Sequence, residues 1–448
     1  MSSREDRTVN EPLLSVLSCP RCGGRFRWEP LGSTPGWGVV ACRLHRYPVL
    51  QDIVVLKEDP HTEAALRAIE RDDPARALGT VLAATHSTAA DRLLGRLRAY
   101  LFRGPIIPPL AVARMSARLH SDRAPTSFGR QVHELFGRRP WGTPATAEYF
   151  RFRRSDPTFV AAEALSAALL PLRGALLDLA CGAGHLAASL GELAAGRLVV
   201  GLDTLFPALL LARRFVSPDA ALVCADAGSP LPFADGAFGM VVCSDAFFDL
   251  PHLPMAAREI ARVLSATGGV ACLPHLHNAE IPHEYSGRQP LTADDYAEVL
   301  APLRGGFADE RAILAAALAA GPRSAAFSRS PSALATAPDL AAVGGPGAPK
   351  AVEFRGPVLP VAVGPVVWNP LYERTGVDAA EGMSVLTRSP FRYTSESESG
   401  PFPGILPDSV RVPVTLEDPS AAGEAASDLL RELLAQRVAL TLPAGMLD

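Results

Sequence analysis

The chain has 448 residues, 48% of them apolar, a net charge of −4 and seven cysteines. That length accommodates several domains with at least one large core, and no run of 18 apolar residues marks a membrane span. Residues 1–11 are polar with mixed charge and lack an apolar signal-peptide core, so the cytoplasm is the expected compartment. Charge is uneven: residues 1–155 carry 24 Arg or Lys against 15 Asp or Glu, +9, which leaves −13 for the remainder. An anionic partner is one reading of the basic part, and solvated helix surface is the plainer one. Lys57 and Lys350 are the only lysines, so the arginine excess is largely compositional.

Residues 13–58 form the first unit. Cys19-Pro20-Arg21-Cys22 is followed, after nineteen residues, by Cys42-Arg43-Leu44-His45. Two such knuckles supply four soft or borderline donors, Cys19, Cys22, Cys42 and His45, in the pattern of a closed structural zinc site. So short a segment buries little core, which a metal staple offsets. Trp28, Trp37, Val39 and Val40 fit short strands between the knuckles. Cys181, Cys224, Cys243 and Cys272 lie in apolar runs and read as small buried hydrophobes rather than as a disulfide framework. The Cys-Pro-x-Cys start, the second knuckle and the tail Tyr47-Pro48-Val49-Leu50 together resemble Trm112-like zinc ribbons. This chain departs from them at His45, where a fourth cysteine is usual. The resemblance implies a structural module, or one that docks a protein partner or second subunit, and not a catalytic one.

Periodicity predicts helices over 64–71, 74–84, 90–102, 110–119 and 128–136, broken by Pro105, Pro108 and Pro109. Residues 59–150 are therefore expected to be a helical lid or linker. Tyr149-Phe150-Arg151-Phe152-Arg153-Arg154 then leads into a helix over 157–170, and reads either as a cover over a cofactor or as an amphipathic linker.

From 175 onward strands and helices alternate, the pattern of a parallel α/β sheet. A strand over 175–180 runs into Cys181-Gly182-Ala183-Gly184-His185 and a helix over 186–193. Such a βα turn brings backbone N–H groups close to a ligand at a helix N-terminus, and glycine leaves room for that approach. Taken alone, it fits NAD proteins, SAM proteins and ordinary tight turns equally. The second strand, 197–203, ends at Asp203, nineteen residues after Gly184, where a carboxylate can accept ribose hydroxyls. A helix over 207–215 follows, then strands over 221–224, 239–243 and 270–274, the last preceded by a helix around 258–264.

Leu-Asp-Leu-Ala-Cys-Gly-Ala-Gly-His, Gly-Leu-Asp, Ala-Asp-Ala, Leu-Pro-Phe-Ala-Asp-Gly-Ala-Phe and Arg-Glu-Ile-Ala-Arg-Val-Leu arrive in order. Over about residues 150–280 the series resembles class I SAM-dependent methyltransferases. The resemblance implies an α/β fold, a Rossmann-like class I methyltransferase sheet over 151–310. The N-terminal zinc ribbon, a helical insert and a C-terminal α+β extension are expected around it, and the extension, 311–448, is expected to complete the sheet and cap the acceptor site, although no motif marks it. The resemblance further implies that Asp178, Ala180, Gly182 and Gly184 cradle the methionine part of SAM. Asp203 would hold the ribose hydroxyls, and Asp226 with the Ala227 backbone would read the adenine. His185 departs from the family's usual third glycine, and Gly239 from the aspartate that usually follows the phenylalanine.

In-line methyl transfer depends mostly on alignment, but a hydroxyl or nitrogen acceptor gains from a base near neutral pKa, which is histidine's range. His252 beyond the fourth strand, and His275 and His277 beyond the fifth, are the candidates. At i and i+2 the last two share a face if the strand continues; metal binding and loop capping are the competing roles. After Asn278 the pattern weakens to a helix over 291–300, a strand near 306 and loop or weak helix over 311–350. A strand pair over 358–368, a polar loop over 395–404, a helix over 427–436 and a strand over 438–442 complete the chain. The leading expectation is O- or N-methylation of a small-molecule or biosynthetic-intermediate acceptor. An rRNA or tRNA base methyltransferase and a non-catalytic SAM-fold scaffold are the alternatives.

Overall fold

The computed structural model describes residues 9–30, 35–84, 127–136, 144–281, 290–328, 330–378, 380–388, 406–421 and 427–447. The helices expected over 90–102 and 110–119, the prolines between them and the loop over 395–404 lie outside these residues. The N-terminal unit is an antiparallel meander of β1 (Arg27–Pro30), β2 (Gly38–Ala41), β3 (Arg46–Leu50) and β4 (Ile53–Val55). The α/β part supplies β5 (Ala175–Leu179), β6 (Val199–Asp203), β7 (Ala221–Cys224), β8 (Phe238–Val242) and β9 (Val270–His277). Then come β10 (Gly306–Asp309), β11 (Arg323–Ala326), β12 (Asp339–Gly344) and β13 (Ala351–Phe354). The tail adds β14 (Val366–Trp368), β15 (Tyr372–Asp378), β16 (Met383–Arg388), β17 (Ser409–Pro413) and β18 (Ala439–Thr441).

Eleven of these strands form one sheet in the order β1-β2-β3-β4-β7-β6-β5-β8-β9-β12-β10. The six strands from β4 to β9 run parallel, and the flanks on both sides are antiparallel. Strands buried on both faces lose the polar–apolar alternation, which is why β5 to β9 read as near-continuous apolar runs. The chain leaves β5 toward β6 and β7 and then returns to β8 on its other side. The crevice at the carboxyl ends of β5 and β8 is therefore the topological switch point, where open α/β sheets bind ligands.

The N-terminal unit is fused into the sheet. Ile53, Val54 and Val55 pair in register with Leu222, Val223 and Cys224, and all six are buried. Each of the aliphatic side chains contributes about 1.5–3 kcal/mol by burial. The helices Pro60–Ile69 and Pro74–Ala84 send Ala65, Ile69, Leu78 and Leu82 into the same apolar layer as Ile53, Leu222 and Met240. No helix among the described residues is long and apolar enough to cross a membrane.

Two expectations are corrected. Residues 311–350 are not loop or weak helix: they hold most of the helix Glu310–Leu318 together with β11 and β12. β12, Asp-Leu-Ala-Ala-Val-Gly, is buried throughout, and its place between β9 and β10 overrides alanine's low strand propensity. In 358–368 only β14 is a strand, and its partner is β18 rather than a neighbour in that stretch. Pro360 and Pro365 lack the N–H donors that a ladder uses.

Behind the switch point lies a buried ion pair. Arg154 donates to Glu163 at 2.9 Å, to Ser189 Oγ at 2.9 Å and to the Thr441 carbonyl at 2.9 Å, with its guanidinium over the Phe159 ring at 4.9 Å. Glu163 also accepts from Ser189 Oγ at 2.6 Å and from the Val361 backbone at 3.3 Å. One pair thus ties the helices Pro157–Leu169 and His185–Leu193 to the C-terminal strand β18. Removing one partner of a buried pair strands the other charge and costs about 3–5 kcal/mol. Glu163→Ala and Arg154→Ala should each lower stability by that order in denaturant unfolding, and the double variant should lose less than the sum of the two.

His185 opens the helix His185–Leu193 with its ring buried edge-on against Phe128, at 6.4 Å between centroids. Burial, with Arg154 and Arg153 nearby, lowers its pKa from 6.5 to about 3. The native imidazole is therefore neutral, while the unfolded one takes a proton below about pH 6.5. Stability is lost as pH falls through that window, by about 2 kcal/mol at pH 5. Urea midpoints at pH 7.5 and pH 5 should show this loss, and His185→Leu should remove its share of the slope.

Candidate functional site

The first half of the site is the turn after β5. Its backbone is left-handed at Ala180 (φ +59°), Gly182 (φ +53°) and Gly184 (φ +79°) before entering the helix His185–Leu193. Ala180 is the costly member, since αL disfavours a residue with a Cβ by about 1–2 kcal/mol. Asp203 at the end of β6 braces the turn: Gly182 N donates to its Oδ2 at 2.8 Å and Leu205 N to its Oδ1 at 2.7 Å. A carboxylate has about four lone-pair sites, so Asp203 keeps acceptor capacity for a ligand. A Cβ at Gly182 would lie 3.3 Å from the Phe150 ring, so this ring roofs the turn. A Cβ at Gly184 would come within 2.9 Å of Ala212 Cβ, so that glycine also serves packing against the π-helical turn Ala212–Val216.

Asp178, on β5 beneath the turn, is 2% exposed, and its Oδ2 has no hydrogen-bond partner. Desolvation pushes its pKa up to about 7, against the lowering effect of the Ala187 N–H. An orphaned buried carboxylate oxygen beneath the turn fits the ammonium of an amino-acid ligand. Burial likewise raises the pKa of Asp203, while N–H donors from Leu205 and Gly182 oppose it. Asp226, beyond β7, is exposed and accepts from Gly228 N at 2.8 Å, with Ala227 buried beside it. The sequence-derived positions Asp178, Ala180, Gly182, Gly184, Asp203, Asp226 and Ala227 thus lie at the carboxyl ends of three adjacent strands.

The second half lies beyond β8 and β9. β9 runs three residues further than predicted, to His277, and bulges against β12 where Leu273 faces Ala342 and Leu276 faces Leu340. His275 sits in that bulge at φ +60°, and Asp245, after β8, at φ +54°. The His275 and His277 rings are edge-on with centroids 4.6 Å apart. Each Nδ1 meets a buried carboxylate: His275 that of Glu310 at 2.7 Å, His277 that of Asp339 at 2.7 Å. His275 Nε2 lies 3.8 Å from Asp245 Oδ1. Asp245 is also engaged by the Tyr149 hydroxyl at 3.3 Å and by Arg153 at 3.5 Å. His252 caps the start of the helix Leu253–Val263, exposed and without a side-chain cap bond, and is not part of this cluster. Glu310 and Asp339 went unread in the sequence because they lie where periodicity fades, and nothing in their local spacing marks them.

The N-terminal donors converge as well. Cys19 Sγ is 3.4 Å from His45 Nδ1, Cys22 Sγ 3.6 Å from Cys42 Sγ, and Cys42 Sγ 3.8 Å from His45 Nδ1. A tetrahedral ion with bonds of about 2.0–2.3 Å spaces its donors by about 3.3–3.8 Å, so the four fit zinc. Burial works to raise the Cys42 thiol, yet the N–H groups of Leu44 and His45 with the Cys22 and His45 side chains outweigh it and bring it down to about 6. A cavity of about 490 Å³ between β10, β12 and the 297–305 segment has Arg304 as its one ionisable lining group, and offers no base.

A family model described as "Methyltransferase domain" matches residues 177–272, from within β5 to within β9. The demethylmenaquinone methyltransferase of Thermus thermophilus is 36% identical over 134 residues, which are 29% of this chain and 58% of that protein. The chain thus spans a little over half the length of that relative. Among solved structures, the complex of the Haloferax volcanii Trm112 methyltransferase activator with a putative methyltransferase is similar over 44% of this chain and 92% of that one, at 19% identity and a TM-score of 0.32. A putative methyltransferase of Bacillus halodurans is similar over 33% and 69%, at 25% identity and a TM-score of 0.29. Residues 177–272 thus match a methyltransferase-domain model, and the sheet that holds them is Rossmann-like.

Proposed function

We propose that the chain is a SAM-dependent methyltransferase that methylates oxygen or nitrogen of a small-molecule acceptor, with structural zinc in its N-terminal ribbon. One observation carries the reading. The segment 149–153 spans both halves of the switch-point crevice, with Phe150 on the Gly182 turn and Tyr149 and Arg153 on Asp245. When bound, SAM supplies a methyl group on a sulfonium, whose C–S electron pair stays with sulfur on transfer. Asp178 holds the ammonium of the methionine part, and Ala180, Gly182 and Gly184 cradle the rest of it. Asp203 takes the ribose hydroxyls, while Asp226 and the Ala227 backbone take the adenine. Phe150 excludes water from the turn. His275 and His277, held by Glu310 and Asp339, act on the acceptor's proton; His252 sits outside their cluster and ranks behind them.

The Thermus thermophilus relative is named for a small-molecule acceptor, demethylmenaquinone, which favours that class here. RNA fits less well, because Arg21, Arg27, Arg46, Arg67 and Arg154 of the basic part all pair with carboxylates. The ribbon's continuity with the sheet favours a structural role, and docking of a protein partner or second subunit stays secondary to it.

Calorimetry should give a SAM dissociation constant in the micromolar range, weakened at least tenfold in Asp178→Asn and Gly182→Val. Ionised Asp178 favours the ammonium, so wild-type affinity should rise between pH 6 and 7.5, and this dependence should vanish in Asp178→Asn. Binding no tighter than millimolar would sink the reading and leave a scaffold. Cys42→Ser should release the ribbon's zinc, measured by mass spectrometry of metals, and lower the melting temperature.

A further inference from the structure

The second half of the crevice has a donor set that methyl transfer from SAM does not by itself call for. We propose that Asp245, His275 and His277 form a binding site for a divalent first-row transition metal ion, separate from the ribbon. One ligand atom from each of the three lies within 4.8 Å of the others, so modest side-chain movement brings them to bonding distance around one ion. Two imidazoles and one carboxylate leave coordination positions open and suit iron, nickel, zinc or cobalt.

Three further features point the same way. First, both imidazoles are turned by their Nδ1 contacts to Glu310 and Asp339, each at 2.7 Å. This is the outer carboxylate arrangement that fixes tautomer and ring direction in metal-binding histidines, and it assigns Nε2 as the ligand atom. Second, carboxylates surround the pair of rings: Asp245, Glu310 and Asp339 all meet them, and Arg153, itself shared with Asp156, reaches Asp245. Glu310 and Asp339 are 0% and 1% exposed and lie directly behind the rings, so the negative charge of the cluster acts on a bound divalent cation with little screening by water. Third, two of the ligands, Asp245 and His275, hold left-handed backbone at the ends of neighbouring strands. Non-glycine residues in that region cost of order 1–3 kcal/mol each and cluster at functional sites.

The consequence for substrate class rests on the methyltransferase reading. An acceptor hydroxyl that binds the ion becomes more acidic. With His275 and His277 as ligands through Nε2, the ion takes over the activating role given to them above: the acceptor's proton passes to solvent, its oxygen forms the new bond to the methyl carbon, and the C–S electron pair remains on sulfur. The acceptor is then a hydroxyl compound able to ligate a divalent cation.

The test uses the full chain with its ribbon loaded with zinc, titrated with Co(II) alone and followed by visible absorption and calorimetry. A second metal equivalent per chain should bind with a nitrogen- and oxygen-ligated spectrum. It should be lost in the His275→Ala/His277→Ala double variant and weakened at least tenfold in Asp245→Asn, a loop position where misfolding is least expected. Glu310→Gln should weaken it about 10–100-fold. A wild-type chain that binds only the ribbon metal at millimolar Co(II) would overturn the proposal, as would a second equivalent of unchanged affinity in Asp245→Asn. SAM affinity measured on the same samples separates the two readings. Metal binding without SAM binding removes the methyltransferase alone, and SAM binding without a second metal removes the metal site alone.

Discussion

The buried Arg154–Glu163 pair is the contact on which the crevice depends. Arg154 sits at the end of the segment that covers the glycine turn, and its guanidinium reaches two helices and the last strand at once. A planar fork with five donors serves so many acceptors in fixed directions, which a lysine ammonium on a flexible stem does not. Because Arg154 is pinned, Arg153, Phe150 and Tyr149 are carried to the two halves of the site from one short stretch of chain. Phe152 of the same stretch packs into the tail's apolar cluster with Leu371, Leu386 and Leu433. The C-terminal region is therefore packed against the segment that carries Tyr149, Phe150 and Arg153.

Much of the central sheet was legible because parallel strands buried on both faces leave long apolar runs, punctuated at their carboxyl ends by Asp178, Asp203 and Asp226. The glycine turn was legible for the same local reason: its backbone leaves the space available to L side chains. The ribbon's donors were legible because spacing alone brings two knuckles together. What escaped notice depends on pairing at long range. β12 is rich in alanine and became a strand only through β9 and β10, and its first residue, Asp339, backs a histidine 62 residues earlier. The bulge that lifts His275 has no sequence mark, since it arises from the register of β9 against β12. His185, which departs from the family's usual glycine, turns its ring to Phe128.

The two donor clusters differ in character. The ribbon cluster offers four donors with three sulfurs, closed on itself, at the outer side of the sheet. The crevice cluster offers three nitrogen and oxygen donors beside the switch point, with carboxylates standing behind them. The first arrangement suits holding a fold together, and the second suits contact with a substrate.

The continuity of β4 with β7 also governs how the molecule assembles. β4 ends at residue 55 and its partner strand begins at residue 221, so the ladder closes a loop of more than 160 residues. Closing so long a loop delays the contact until the chain between is in place. During synthesis β4 is made well before β7, and its outward strand edge has no partner from β7 until then. The meander β1 to β4 is local in sequence, so it forms without waiting for the rest of the sheet. The parallel strands then add to an edge that is already in place.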